Sequence, residues 1–191
     1  MELIAPYLAA CGLLLVAGLA KALRPDDTAR ALADLAGSGP AGLRAAVRLG
    51  ALAEAALGLA GLVALVPGIA AGVAASYAGF GAFVLYARRR GGVLATCGCF
   101  GTLDTPPTVL HAGLDAALAL GAAWVALRAP GGSTASWLGH QPWSGAPIAL
   151  EAIACAWLAA LCMAAAARVA QARRLLAGRP MHPGPELAGR S

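Results

Sequence analysis

Runs of about twenty apolar residues, each closed by charge or by proline and glycine, organise this chain. They fall at residues 3–23, 45–66, 68–87, 109–127 and 148–168. A helix rises about 1.5 Å per residue, so about 20 residues cross the roughly 30 Å hydrocarbon core of a bilayer. Five membrane-spanning helices are therefore expected. The first is read as a span and not as a signal peptide, because Glu2 precedes it and the basic residues follow it. Pro67 and Gly68 turn the second run into the third. Arg88, Arg89 and Arg90 stop the third, and Pro106 and Pro107 suit the start of the fourth.

The connections differ in character. Residues 25–42 are polar, and their middle, "DDTARALADLAG", has an acidic start and apolar positions at i, i+3 and i+4. That pattern predicts a short interfacial helix capped near Asp26 or Asp27. Residues 88–108 carry the arginine triplet and the stretch "LATCGCFGTLD". Residues 129–147 hold no lysine or arginine; their glycines, Trp137 and Trp143 suit a surface loop beside an aromatic belt. Residues 1–170 are expected to form one transmembrane bundle, and residues 171–191 a disordered basic tail rich in proline and glycine.

Composition supports the membrane reading. The chain is 60% hydrophobic and 12% charged, too few charges to cover a soluble domain. Abundant alanine and glycine predict helices packed closely through small residues. The net charge of +5 reflects arginines at span ends, and no basic patch interleaved with aromatics points to nucleic acid. Lys21, Arg24, Arg30, Arg44 and Arg48 mark the first connection as cytoplasmic, and the arginine triplet marks the third. Arg168, Arg173 and Arg174 do the same for the C-terminus. With five spans this places the N-terminus outside and the C-terminus inside, and only Arg128 dissents. The fold class expected is all-α: a polytopic bundle with a four-helix core and a fifth transmembrane helix.

Whatever the orientation, this topology gathers Lys21, Glu54, Cys97, Cys99, His111 and Asp115 toward one membrane face. Ionisable groups inside a span are costly and need partners. Glu54 is expected to pair with Lys21, either as a packing contact or as polar support for chemistry. His111 and Asp115 are one turn apart on one helix face. There His111 is either an interfacial residue or a group that lowers a thiol's pKa. Cys97 and Cys99 flank one glycine. In a turn, residues i and i+2 approach the about 4.4–6.8 Å Cα separation of a disulfide. A bond so strained and exposed is labile, so redox exchange is preferred over two small fillers, and a metal site is not expected. Cys11 and Cys155 are a possible second redox pair toward the opposite face, with apolar filler as the other reading. Cys162, seven residues after Cys155, lies about 10 Å along the helix from it, too far to bridge.

"CGCFG" at Cys97–Gly101, preceded by "ARRRGG", resembles the MauE family of methylamine utilisation membrane proteins, within the DoxX-like group. "GLAKAL", with Gly18 and Lys21, and "EAALGL", with Glu54 and Gly58, are similar to further family patterns. The resemblance covers the first four spans. It implies a helical bundle in a bacterial cell membrane that supports disulfide formation in exported proteins, an amine dehydrogenase subunit being the namesake client. It further implies a thioredoxin-fold partner. By the same resemblance Cys97 and Cys99 are the exchanging pair, with Lys21 and Glu54 as polar support. Asp115 departs from the family pattern. No cofactor is demanded, and a quinone is one candidate electron acceptor. The competing reading is a non-enzymatic membrane scaffold that binds a redox partner or lipid.

Overall fold

The computed structural model describes residues 3–36, 40–89, 109–129 and 131–177. They form seven α-helices: α1 (Ile4–Leu23), α2 (Pro25–Ala36), α3 (Pro40–Val63), α4 (Pro67–Arg89), α5 (Val109–Arg128), α6 (Thr134–Gly139) and α7 (Ala146–Ala177). A 3-10 turn, Pro142–Gly145, leads into α7. Among the described residues four helices are long and apolar enough to cross a bilayer: Ile4–Leu23, Gly42–Val63, Pro67–Tyr86 and Val109–Arg128. The protein is an all-α membrane bundle. Cys97 and Cys99, in the segment between α4 and α5, and residues 178–191 of the expected tail lie outside the described residues.

Helix α1 is the central element. It packs most extensively on α3, next on α7, and also on α5. Helix α4 packs mainly on α5 and touches α3. Tyr7, Cys11 and Leu14 of α1 are fully enclosed, as are Leu65 and Val73. Many large side chains point outward instead, among them Leu120, Leu150 and Trp157. In lipid such exposure carries no penalty, because acyl chains are as apolar as leucine.

Small residues set the spacing of α1 and α3. A Cβ added at Gly18 would sit 2.6 Å from Ala51 O and Ala55 N. One added at Gly58 would sit 2.6 Å from Cys11 O and Leu15 N. The two backbones therefore touch at two levels of an antiparallel pair. Gly61 makes the third close approach, where an added Cβ would meet Cys11 Sγ at 2.5 Å and Tyr7 Oη at 2.9 Å. Tyr7 Oη has no oxygen or nitrogen partner among the described residues, and the Cys11 thiol is its polar neighbour.

The far face is tied together by its backbone. Leu65 N donates to Gly132 O at 2.9 Å, and Ala64 bridges Ser133. The α3–α4 turn and the connection after α5 thus share one face, as alternating spans require. Residues 129–147 are not the plain loop expected. Ser133 caps α6, accepting from Ser136 N at 3.0 Å, and Trp137 packs on the core while Trp143 stays 86% exposed. Arg128, the residue that dissented in the charge pattern, lies 4.7 Å from the centre of the Trp124 ring. That cation–π contact accounts for a cation at this border.

Three boundaries differ from expectation. Helix α2 begins at Pro25, ahead of the predicted cap, because proline's fixed φ suits the first helical position. Asp26 instead accepts from Arg44 Nε at 2.7 Å, an exposed pair worth at most about 1 kcal/mol. Helix α3 starts at Pro40 and not near residue 45; Arg44 and Arg48 are exposed at its interfacial end and do not interrupt it. Helix α7 continues to Ala177, so residues 171–177, expected in the tail, are helical. Its apolar stretch is Ala146–Cys162.

Candidate functional site

Antiparallel register explains how Lys21 and Glu54 meet. Gly18 lies opposite Ala51 and Ala55, and Gly58 opposite Cys11 and Leu15. Glu54 is thereby set about one turn from Lys21 along the shared axis. Helical side chains lean toward their own N-terminus. In an antiparallel pair that tilt carries Lys21 and Glu54 toward each other, and Lys21 Nζ donates to Glu54 Oε2. Only 8% of the Lys21 side chain and 22% of the Glu54 side chain remain exposed. Glu54 sits about four turns into α3, deeper than a span beginning near residue 45 would place it, because α3 starts at Pro40.

The ammonium has a second partner. Lys21 Nζ stands 4.6 Å from the centre of the Phe80 ring. Tyr77, one turn earlier on α4, meets Phe80 edge to face with centroids 5.9 Å apart. Its hydroxyl donates to Ala10 O at 2.8 Å, pinning α4 to α1. Sequence reasoning missed both aromatics. The signal was there: they lie at i and i+3 on one face of an otherwise small-residue helix.

Beside this group lies a cavity of about 50 Å³ between α1, α4, α5 and α7. Lys21, Tyr77, Phe80, His111 and Asp115 line it. Apolar residues complete the wall, with Ala159 and Ala160 closing the α7 side. His111 is buried, two residues from the start of α5. Asp115 follows one turn deeper, where α4 makes room: a Cβ at Gly81 would lie 3.5 Å from Asp115 Cβ. The structure therefore brings together four of the predicted site residues, Lys21, Glu54, His111 and Asp115, at the end of the bundle from which the Cys97–Cys99 segment departs.

The other predicted pair is not joined. Cys11 and Cys155 are free thiols. Although α1 and α7 do pack together, the Cys11 thiol is directed at Gly61 of α3. Cys162 is also free, and exposed. Among the described residues no three His, Cys, Asp or Glu side chains converge as a metal site requires.

These features define a polytopic helical membrane protein with an ion pair and a small polar cavity gathered near one end of its bundle. The family model described as methylamine utilisation protein MauE matches residues 2–128, and the chain belongs to the MauE family. The match takes in α1 to α5 and the cysteine segment, and it stops where α6 and α7 begin. No curated protein and no solved structure matches the chain.

Proposed function

We propose that this MauE protein exchanges disulfides through Cys97 and Cys99 with a thioredoxin-fold partner, in support of the maturation of exported proteins. A thiolate of the pair attacks one sulfur of the partner's disulfide. A mixed disulfide forms and a partner thiolate leaves. The second cysteine then attacks the mixed disulfide. The protein becomes oxidised at Cys97–Cys99 and the partner gains two thiols, so two electrons and two protons have passed between them. The reverse order oxidises the partner.

One observation carries this reading. Lys21, Glu54, His111 and Asp115 are assembled at the bundle end that tethers both sides of the cysteine segment, α4 at Arg89 and α5 at Val109. A membrane helix keeps ionisable groups at such depth for a reason. A fixed cation near the segment favours a thiolate over a thiol. The distribution of basic residues supports a cytoplasmic side for this end in a bacterial inner membrane, with α7 taken as the fifth span. A quinone head group is one class of acceptor for the pair's electrons. The described cavity, about 50 Å³, is smaller than the about 150 Å³ that holds a benzene ring, so no step is routed through a quinone there.

Serine substitution tests the reading. Cys97→Ser or Cys99→Ser alone leaves one thiol that cannot resolve a mixed disulfide. One of the two is expected to accumulate a covalent, reductant-sensitive adduct with a thioredoxin-fold protein after alkylation of cells. The double variant forms none and loses client oxidation. Full client oxidation in the double variant, with no adduct in either single variant, would leave the scaffold reading in its place.

A further inference from the structure

The α1–α3 pair has two flanks, and only one of them carries the ion pair. Gly18 and Ala55 mark the line of contact. Each residue turns about 100° around a helix, so Lys21 stands about 60° to one side of Gly18 and Leu19 about 100° to the other. On α3, Glu54 stands about 100° to one side of Ala55, with Leu52 about 60° and Leu59 about 40° to the other. Lys21 and Glu54 meet, so the leucines of both helices share the opposite flank. There Val16, Leu19 and Leu23 of α1 and Leu52, Leu59 and Val63 of α3 are all exposed.

Arg48 heads the α3 row, one turn before Leu52, and is exposed. Gly18 lies opposite Ala51 and Ala55, which sets Arg48 about level with Leu23, the last residue of α1. Arg48 makes no ion pair or hydrogen bond among the described residues. Arg44, one turn earlier, pairs through Nε with Asp26 of α2 at 2.7 Å and keeps the terminal nitrogens of its guanidinium. Helix α2 packs on α3 with Ala29 and Ala33 buried. Val47 of α3 is buried as well, whereas Arg48 beside it is left outward.

We propose that this flank binds one anionic glycerophospholipid, with its phosphate on Arg48 and Arg44 and an acyl chain along the two apolar rows. Charge complementarity selects the occupant. Two guanidiniums at the interfacial end match a head group of net negative charge, and the paired N–H groups of each fit two phosphate oxygens. Length agrees: Arg48 to Leu59 spans about 16 Å, one leaflet of a roughly 30 Å hydrocarbon core. The opposite flank offers no such site, because Glu54 and the Phe80 ring already hold the Lys21 ammonium. Orientation in the membrane needs positive charge at this end, but it does not need an arginine at the head of an apolar row. The inference is independent of the disulfide-exchange reading. The lipid would bridge the same two helices that carry Lys21 and Glu54.

The test is native mass spectrometry of the full chain released from detergent micelles. Dioleoyl phosphatidylglycerol is the probe, and dioleoyl phosphatidylcholine, with the same chains and phosphate but no net charge, is the reference. The first phosphatidylglycerol is expected to bind at least about tenfold tighter than the first phosphatidylcholine, since a basic residue at an anionic surface is worth about fivefold. Arg48→Gln should lose about fivefold, and Arg44→Gln/Arg48→Gln on the order of 20-fold, which removes the preference. Arg89→Gln is the control: the same charge is lost from an exposed residue at the end of α4, and the first phosphatidylglycerol should bind as before. Equal affinity of the wild-type chain for the two lipids, or full affinity in Arg48→Gln, overturns the proposal. An equal loss in Arg89→Gln also overturns it, because the charge of the whole face, and not this flank, would then select the lipid.

Discussion

Replacing Gly18 or Gly58 by leucine is expected to destroy the bundle. The argument is one of distance. Each glycine faces backbone atoms of the neighbouring helix, and even a methyl group would come to 2.6 Å of them. Backbone cannot step aside as a flexible side chain does, so α1 and α3 must separate. Their separation would part Lys21 from Glu54 and uncover the most buried helix of the protein. Overpacking a good interface costs about 1–3 kcal/mol, occasionally more. Here the loss includes the whole α1–α3 contact, so an effect above about 3 kcal/mol is expected. The control is Gly50→Ala, on the same helix but with nothing within 4 Å of the added Cβ. That change should be neutral or stabilising by up to about 1 kcal/mol, since alanine is the better helix former. Thermal or detergent-denaturant unfolding in micelles measures both. Equal stability of Gly18→Leu and Gly50→Ala would show that α1 and α3 are not in backbone contact.

Breaking the Lys21–Glu54 pair from one side is the second large effect. Lys21→Met leaves the Glu54 carboxylate without its cation inside the bundle, and Glu54→Leu strands the ammonium. Removing one partner of a buried pair typically costs about 3–5 kcal/mol. The double variant Lys21→Met/Glu54→Leu removes both charges at similar volume, and buried pairs replaced in this way are often neutral or better. It should therefore recover most of the wild-type unfolding midpoint. Function is expected to part from stability at this point. The double variant folds but lacks the cation that favours a thiolate, so its disulfide exchange should remain slow. A double variant as unstable as the singles would mean that packing, and not charge, holds the two helices here.

Much of this arrangement is legible in the residues alone, because the bilayer imposes a length on every span. Five apolar runs predict five long helices, and their ends fall within a few residues of those observed except at the start of α3 and at the end of α7. The first turns of α3 carry Arg44 and Arg48, which look like a boundary in a hydropathy reading. Long arginine side chains reach the interface from inside a helix, so α3 continues through them to Pro40. The Lys21–Glu54 pair was legible because two opposite charges on consecutive antiparallel spans have few other places to go. The site's aromatics were not. Tyr77 and Phe80 sit in an apolar helix where every face looks alike, and only the packing of α4 on α5 and α1 turns them inward. Cavity shape is likewise a property of four helices at once, so no single run shows that Asp115 and Lys21 share a wall. The interfacial helix α2 is visible in its periodicity, and it starts at Pro25, ahead of the cap expected near Asp26 or Asp27, because proline suits the first helical position.

The most direct test of disulfide chemistry at Cys97 and Cys99 counts thiols. In a chain whose Cys11, Cys155 and Cys162 are alanine, membranes are alkylated with a mass-shifting maleimide before and after treatment with reductant. The account predicts that oxidised cells yield an untagged chain, that reduction adds two tags together, and that Cys97→Ser never carries more than one tag. Two tags on the oxidised chain, or none after reduction, would contradict it.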